Sequence, residues 1–191
     1  MTQANIDLAL ERNRTFAAAG GQEGAVVFPN LRLYVITCLD PRTDPAHFLG
    51  LRLGDAIVVR NAGGRVTREV INDVAFIGQL AENILPDGPL FEVAVIHHNQ
   101  CGTGALADDT FRRRYAERIG VEESTLREHG VLDPTATVAR DVGRLRSAPA
   151  ISERVTVSGH VYDVVTGLVE TVVPVGGEPG ERRPAAENVR A

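Results

Sequence analysis

The sequence has few of the features that mark membrane-spanning, secreted or nucleic-acid-binding proteins. No apolar run is long enough to cross a bilayer, and the first residues lack the basic start and apolar stretch of a secretory signal. The net charge at pH 7 is -5, which argues against a broad nucleic-acid-binding face. Tryptophan is absent, so aromatic residues that line a pocket cannot be named from the sequence. We therefore expect a cytoplasmic protein that binds neither membranes nor nucleic acids.

The length and composition are those of one globular domain. The chain has 191 residues, of which 43% are hydrophobic and 24% charged. We predict a single domain over residues 1–175, with an amino-terminal helix at about residues 5–19 that packs on something else. From Gly176 to the end, glycine, proline and charged residues dominate, which indicates a flexible tail over residues 176–191.

Alternating strand and helix patterns indicate an α/β fold. Short runs rich in β-branched residues predict strands, and apolar residues at three- and four-residue intervals predict a helix between the second and third of them. A strand, a helix and a strand of these lengths form a βαβ unit, which implies a parallel sheet. The predicted strands span residues 31–37, 55–60, 90–97, 155–162 and 168–173, and the last two are expected to form a hairpin. The predicted helices span residues 67–85 and 134–146, and Asp133 is expected to cap the second of them.

The only two cysteines each follow a predicted strand. Cys38 begins the segment Cys-Leu-Asp-Pro-Arg, and Cys101 ends the segment His-Asn-Gln-Cys. They could be buried thiols or one disulfide, but in a reducing compartment paired cysteines more often serve a metal or catalysis. In a parallel sheet the carboxyl ends of the strands open on one edge, where ligands bind. We therefore expect Cys38, His98 and Cys101 to meet there.

Two thiolates and one imidazole are a complete ligand set for a catalytic zinc ion. Such sites use three protein ligands and leave the fourth position open, whereas a structural site uses four. Zinc lowers the pKa of bound water to about 7, and the resulting hydroxide can attack carbon dioxide. We predict one zinc ion per chain, with a small molecule as the substrate.

Asp40 and Arg42 follow the first cysteine closely and have two interpretations. In one, they form a salt bridge that holds the loop. In the other, Arg42 orients Asp40, which accepts a hydrogen bond from the zinc-bound water. A free Asp40 could also occupy the open zinc position, and Arg42 would then pull it away.

These motifs together resemble the β-class carbonic anhydrases. The order Cys-x-Asp-x-Arg and then His-x-x-Cys is similar to that family, and so are three further segments, at residues 54–56, 60–64 and 159–167. The resemblance implies a four-stranded parallel sheet with an antiparallel edge strand and flanking helices. It also implies zinc ligands at Cys38, His98 and Cys101, an Asp40–Arg42 pair that orients or gates the nucleophile, and a homodimer or homotetramer. The implied activity is the reversible hydration of carbon dioxide to bicarbonate.

Several residues depart from the commoner family pattern. Pro41 removes a backbone donor beside Asp40, and Gly-Thr-Gly at residues 102–104 replaces a doubled glycine or glycine–methionine. His97 could shuttle protons, but neighbouring residues of a strand alternate, which places it on the opposite face from His98. The glycine pair at residues 63–64 lacks the spacing of a nucleotide-binding loop and predicts a turn whose backbone approaches the site.

Two alternatives stay open. The same scaffold could hydrolyse carbonyl sulfide or carbon disulfide, which are also linear electrophiles. In a different class, the chain could be a non-catalytic zinc scaffold or thiol redox sensor, although such a module has no need for the Asp40–Arg42 pair.

Overall fold

The computed structural model describes residues 4–177 and contains one five-stranded sheet. The strand order is β2-β1-β3-β4-β5, in which β1 to β4 are parallel and β5 pairs antiparallel with β4. This arrangement confirms the predicted fold class. The strands are β1 (Leu33–Cys38), β2 (Ala56–Asn61), β3 (Glu92–His98), β4 (Thr156–Tyr162) and β5 (Val169–Val173).

The described residues also form six α-helices and three short 3₁₀ helices. The helices are α1 (Asp7–Ala18), α2 (Pro45–Phe48), α3 (Arg68–Ile84), α4 (Asp109–Ile119), α5 (Glu123–Arg127) and α6 (Pro134–Arg146). The 3₁₀ helices span Pro41–Thr43, Ala62–Gly64 and Gly102–Ala107. Asp133 caps α6 by accepting a hydrogen bond from the Ala136 N–H at 3.0 Å, as predicted.

Helices α4 and α5 were not predicted. The apolar residues of α4 at four-residue spacing, Phe111, Tyr115 and Ile119, are exposed, and α5 has only 5 residues. In α4 the buried residues are Arg112 and Ala116, so the buried face does not stand out as hydrophobic. The Arg112 guanidinium donates to the Leu106 carbonyl and pairs with Asp109 and Glu123. A buried charged residue therefore takes the place that an aliphatic residue occupies in α3.

The sheet is covered on both faces, which explains the apolar character of its central strands. On one face the largest core cluster includes Val70 and Val74 of α3 together with Val138 and Leu145 of α6. On the other face a smaller cluster lies around Val35, Ala94 and Ile96. Strands β1 and β3 are therefore buried almost throughout, and their carboxyl ends lie side by side at the centre of one sheet edge.

Helix α1 is placed close to the predicted bounds but buries no residue against the rest of the described chain. The prediction that residues 1–175 form one domain stays a prediction. Most of the predicted tail, residues 178–191, lies outside the described residues. Within residues 4–177, no helix combines the length and the apolar character needed to span a membrane.

Candidate metal centre

Cys38 is the last residue of β1 and its backbone is held firmly. Its carbonyl accepts hydrogen bonds from the Thr43 hydroxyl and from the Arg60 Nε, both at 3.0 Å. The Arg60 Nη2 also donates to the Asp40 carbonyl at 2.7 Å, which secures the loop that follows. The thiol of Cys38 is thus presented from a rigid strand end.

His98 ends the neighbouring strand β3, and a tight turn brings Cys101 back beside it. Gln100 has a φ of +52°, in the left-handed region that residues with side chains seldom adopt. The Cys101 carbonyl then accepts from the Gly104 N–H at 2.9 Å, at the start of the 3₁₀ helix. This turn lets two residues three positions apart face the same point.

The structure brings Cys38, His98 and Cys101 together as one buried cluster. Their ligand atoms all lie within 4.8 Å of one another, and the two Sγ atoms are 3.9 Å apart. The three residues are 3%, 1% and 8% exposed, respectively. Within residues 4–177 this is the one group of at least three His, Cys, Asp or Glu residues with the spacing of a metal site.

The residues of the cluster fit a zinc ion chemically. Neither ring nitrogen of His98 has a hydrogen-bond partner among the described residues, although both are buried. An unpaired buried polar atom is costly, and a metal ion would supply the missing partner for one nitrogen. Two sulfurs and one nitrogen match the borderline-soft character of zinc and leave one tetrahedral position open.

The hydrogen bond between the two thiols separates their pKa values. The hydrogen bond between them lowers the pKa of Cys101 to about 6 and, together with burial, raises the pKa of Cys38 to about 12. One thiolate therefore forms easily, whereas a second negative charge beside it is unfavourable. A cation removes this conflict, because it stabilises both thiolates at once.

Asp40 and Arg42 form a bidentate pair at the edge of the cluster. The Arg42 Nε and Nη2 donate to the two Asp40 carboxylate oxygens at 3.0 and 2.7 Å. These bonds lower the pKa of Asp40 to about 2. The Arg42 Nη2 also donates to the Gln100 carbonyl at 3.0 Å. The pair therefore links the loop after Cys38 to the turn before Cys101.

The predicted glycine turn lies against the cluster. Gly63 and Gly64 have φ values of +84° and +65°, which favour glycine. A Cβ on Gly64 would lie 2.9 Å from the Cys38 nitrogen, so a side chain there would displace the backbone of a candidate ligand. The approach of this turn to the site is confirmed.

A buried network behind the cluster was missed in the sequence. Asp141 of α6 pairs with Arg65 at 2.7 Å and lies 3.3 Å from the His97 Nε2. The His97 Nε2 is also 3.1 Å from the Gly64 carbonyl, which agrees with the opposite-face interpretation of His97. The signal was present: Asp141 is a charged residue on the apolar face of α6.

The network keeps Asp141 ionised. Burial alone would raise the pKa of Asp141, but hydrogen bonds from His97 and Arg65 outweigh it and lower the pKa to about 2. Because Arg65 is also buried, loss of Asp141 leaves a buried arginine without its carboxylate partner. The turn at Gly64 thus depends on a charge pair anchored in α6.

Comparisons with known proteins agree with this geometry. The family model described as carbonic anhydrase matches residues 33–169. The protein named beta-carbonic anhydrase 1 from Mycobacterium tuberculosis is 29% identical over 157 residues, covering 82% of this chain and 91% of that protein. A carbon disulfide hydrolase from Acidithiobacillus thiooxidans is 30% identical over 158 residues, covering 72% and 75%. The crystal structure of carbonic anhydrase from Streptococcus mutans superposes with a TM-score of 0.75 at 31% identity, covering 90% of this chain and 99% of that one.

Replacing Asp141 tests the buried network. We expect Asp141→Ala to destabilise the protein by about 3–5 kcal/mol at neutral pH, because Arg65 becomes a buried unpaired charge. The control Asp73→Ala changes an exposed residue of α3 and should alter stability by no more than about 0.5 kcal/mol. Guanidinium unfolding of the three proteins measures the difference.

The stability difference between the parent protein and Asp141→Ala should also depend on pH. The pKa of Asp141 falls from 3.8 to about 2 on folding, so its contribution is complete above pH 3.8 and is lost as the pH falls towards 2. The stability gap between parent and Asp141→Ala should therefore narrow across that window. A gap that stays constant from neutral pH to pH 2 would contradict the charge-pair account.

Proposed function

Because this chain belongs to the β-class carbonic anhydrase family, we propose that it catalyses the reversible hydration of carbon dioxide to bicarbonate and a proton. In this proposal Cys38, His98 and Cys101 hold one zinc ion per chain. The observation that supports it most directly is the buried cluster of three ligand atoms within 4.8 Å, beside an Asp–Arg pair. Both thiols must stay reduced, which favours action in the reducing cytoplasm.

A zinc ion held by Cys38, His98 and Cys101 would act as a Lewis acid and lower the pKa of bound water to about 7. The residues around the ion would determine how that water is oriented towards the substrate. The Asp40 carboxylate, ionised at neutral pH, accepts a hydrogen bond from the attacking water and leaves an oxygen lone pair directed at carbon dioxide. The overall reaction consumes one water and one carbon dioxide and yields bicarbonate, and one proton is released to solvent.

Arg42 has a positioning role in this proposal. It binds both carboxylate oxygens of Asp40, at 3.0 and 2.7 Å, and so holds a potential fourth ligand away from the cluster. Its bond to the Gln100 carbonyl couples that restraint to the turn before Cys101. The same contacts also hold the two loops together, so the activity of an Asp40 variant distinguishes this role from that of a salt bridge that only holds the loop.

Asp40→Ala separates catalysis from metal binding. We expect the variant to keep its zinc but to lose carbon dioxide hydration by about a hundredfold or more, because the attacking water loses its acceptor. Zinc content and stopped-flow hydration are measured on one preparation. Asp87→Ala, an exposed change in the loop before β3, should behave like the parent.

The result also addresses the non-catalytic alternative. Parental hydration in Asp40→Ala would contradict the role assigned to Asp40. A parent protein with zinc but no hydration activity would favour the scaffold. Recovery of a Cys38–Cys101 disulfide from freshly purified protein would favour the redox sensor.

Hydrolysis of carbon disulfide or carbonyl sulfide is the second candidate function. Relatives named carbon disulfide hydrolase from Acidithiobacillus thiooxidans and Acidianus are 30% and 29% identical to this chain. We expect carbon dioxide to be the best substrate. The test compares kcat/KM for all three gases on one zinc-loaded preparation, and a higher value for either sulfur compound would reassign the substrate.

We further propose that the chain assembles as a homodimer or homotetramer. Phe76, Leu80 and Ile84 form an exposed apolar stripe along α3, at 63%, 43% and 60% exposure. Strand β2 lies at the sheet edge, and α1 buries nothing within its own chain. A fold neighbour, from Sordaria macrospora, is described as a tetrameric beta-carbonic anhydrase.

A charge in this stripe tests the assembly. We expect Leu80→Arg to shift the protein towards a smaller species in sedimentation velocity, because the arginine must be desolvated in a packed interface. Leu132→Arg, at a position 69% exposed outside the stripe, is the matched control. A parent that sediments as a monomer would contradict the proposal.

A further inference from the structure

Thr103 contacts one of the candidate metal ligands directly. Its Oγ1 lies 3.1 Å from the Cys101 Sγ, and it follows that cysteine by two residues. This position belongs to the Gly-Thr-Gly segment that departs from the commoner family pattern. The contact therefore places a side-chain hydroxyl directly against a candidate metal ligand.

The direction of this hydrogen bond follows from the other partner of the hydroxyl. The Val131 N–H, which can only donate, points at the Thr103 Oγ1 at 3.2 Å. The oxygen therefore acts as acceptor towards Val131, and its single hydrogen is free for another group. Among the hydrogen bonds of residues 4–177, the Cys101 sulfur is the acceptor available to it.

The surrounding backbone holds Thr103 in this position. A Cβ on Gly63 would lie 3.3 Å from the Thr103 Oγ1, and a Cβ on Gly130 would lie 3.4 Å from the Thr103 carbonyl oxygen. Both neighbours are glycines, so the glycine turn and the 128–131 loop approach Thr103 closely. Arg65 supports the same loop by donating to the Glu128 carbonyl.

The two sulfurs of the cluster accept different kinds of hydrogen bond from the protein. The Cys38 Sγ accepts a backbone N–H from Asp40 at 3.4 Å, which every sequence with this loop can supply. The Cys101 Sγ accepts from a side-chain hydroxyl at a shorter distance. A hydrogen bond to a thiolate draws negative charge from the sulfur and reduces its donation to a bound metal.

We propose that the Thr103 hydroxyl tunes the metal centre by donating a hydrogen bond to the Cys101 thiolate, which keeps a zinc ion with two thiolate ligands more electrophilic. This role rests on the proposed zinc site. Thr103 acts through Cys101 and needs no contact with substrate. It offsets part of the charge that two thiolates donate.

The test replaces zinc with Co²⁺, whose thiolate-to-metal charge-transfer band reports the energy of the sulfur electrons. Thr103→Val removes the hydroxyl at nearly constant volume, and we expect its band to move to longer wavelength than that of the parent. Thr103→Ser restores the hydroxyl and should restore the parental band. Thr137→Val removes a buried hydroxyl that bonds the Asp133 carbonyl, away from the sulfurs, and should also keep the parental band.

Hydration activity provides a second readout. Thr103→Val should lower carbon dioxide hydration by about tenfold to a hundredfold, the effect typical of groups that hydrogen-bond a metal ligand, and Thr103→Ser should not. If Thr103→Val does not fold, Thr103→Ala removes the hydroxyl without adding a methyl group and takes its place in both measurements.

The possible outcomes separate this inference from the proposed function. An unchanged band in Thr103→Val, or an equal shift in Thr103→Ser, would overturn the role of the hydroxyl and leave the metal centre intact. A parent protein without a thiolate charge-transfer band would overturn the metal centre and this inference with it. A shift confined to the variants that lack the hydroxyl would support the proposal.

Discussion

The whole site depends on the side-by-side burial of two parallel strand ends. Strand β1 ends at Cys38 and its neighbour β3 ends at His98, and both strands lie between other strands with helices on each face. The apolar residues that stabilise these strands in the core also fix where they stop. Cys101 needs only the tight turn at Gln100 to join the other two ligand atoms. The packing of the sheet therefore determines most of the geometry of the centre, and the turn at Gln100 positions the remaining sulfur.

Charges around this centre are arranged in two separate layers. At the solvent side, Arg42 holds Asp40 and ties together the loops that contribute the two cysteines. In the interior, Arg65 and Asp141 tie the glycine turn to α6. The first pair is partly exposed at the edge of the candidate metal centre, whereas the second is buried and supports the backbone against which Cys38 packs. An exposed ion pair adds little to the free energy of unfolding, whereas breaking a buried pair lowers it strongly. Only the Arg65–Asp141 pair is therefore expected to matter for stability.

Much of the fold could be predicted because the local signals were strong. Short runs rich in β-branched residues predicted the strands, and the periodic apolar residues predicted α3. Asp133 before a proline marked the start of α6. Helix α4 was not predicted because its buried positions, Arg112 and Ala116, do not form an aliphatic stripe, and α5 was not predicted because it has only 5 residues. The three candidate ligand residues were visible as motifs at strand ends. Asp141 stood out as a charged residue on the apolar face of α6, but its partner Arg65 lies 76 positions away and could not be identified from the sequence. The Thr103–Cys101 contact is local, but the residue types alone do not show that the hydroxyl faces the sulfur.

The most direct test of the central claim is zinc-edge X-ray absorption on the purified, zinc-loaded protein. We predict a metal environment with two sulfur atoms and one imidazole nitrogen from the protein, and the loss of one sulfur in Cys101→Ala. A zinc environment without sulfur, or one that Cys101→Ala leaves unchanged, would contradict the account.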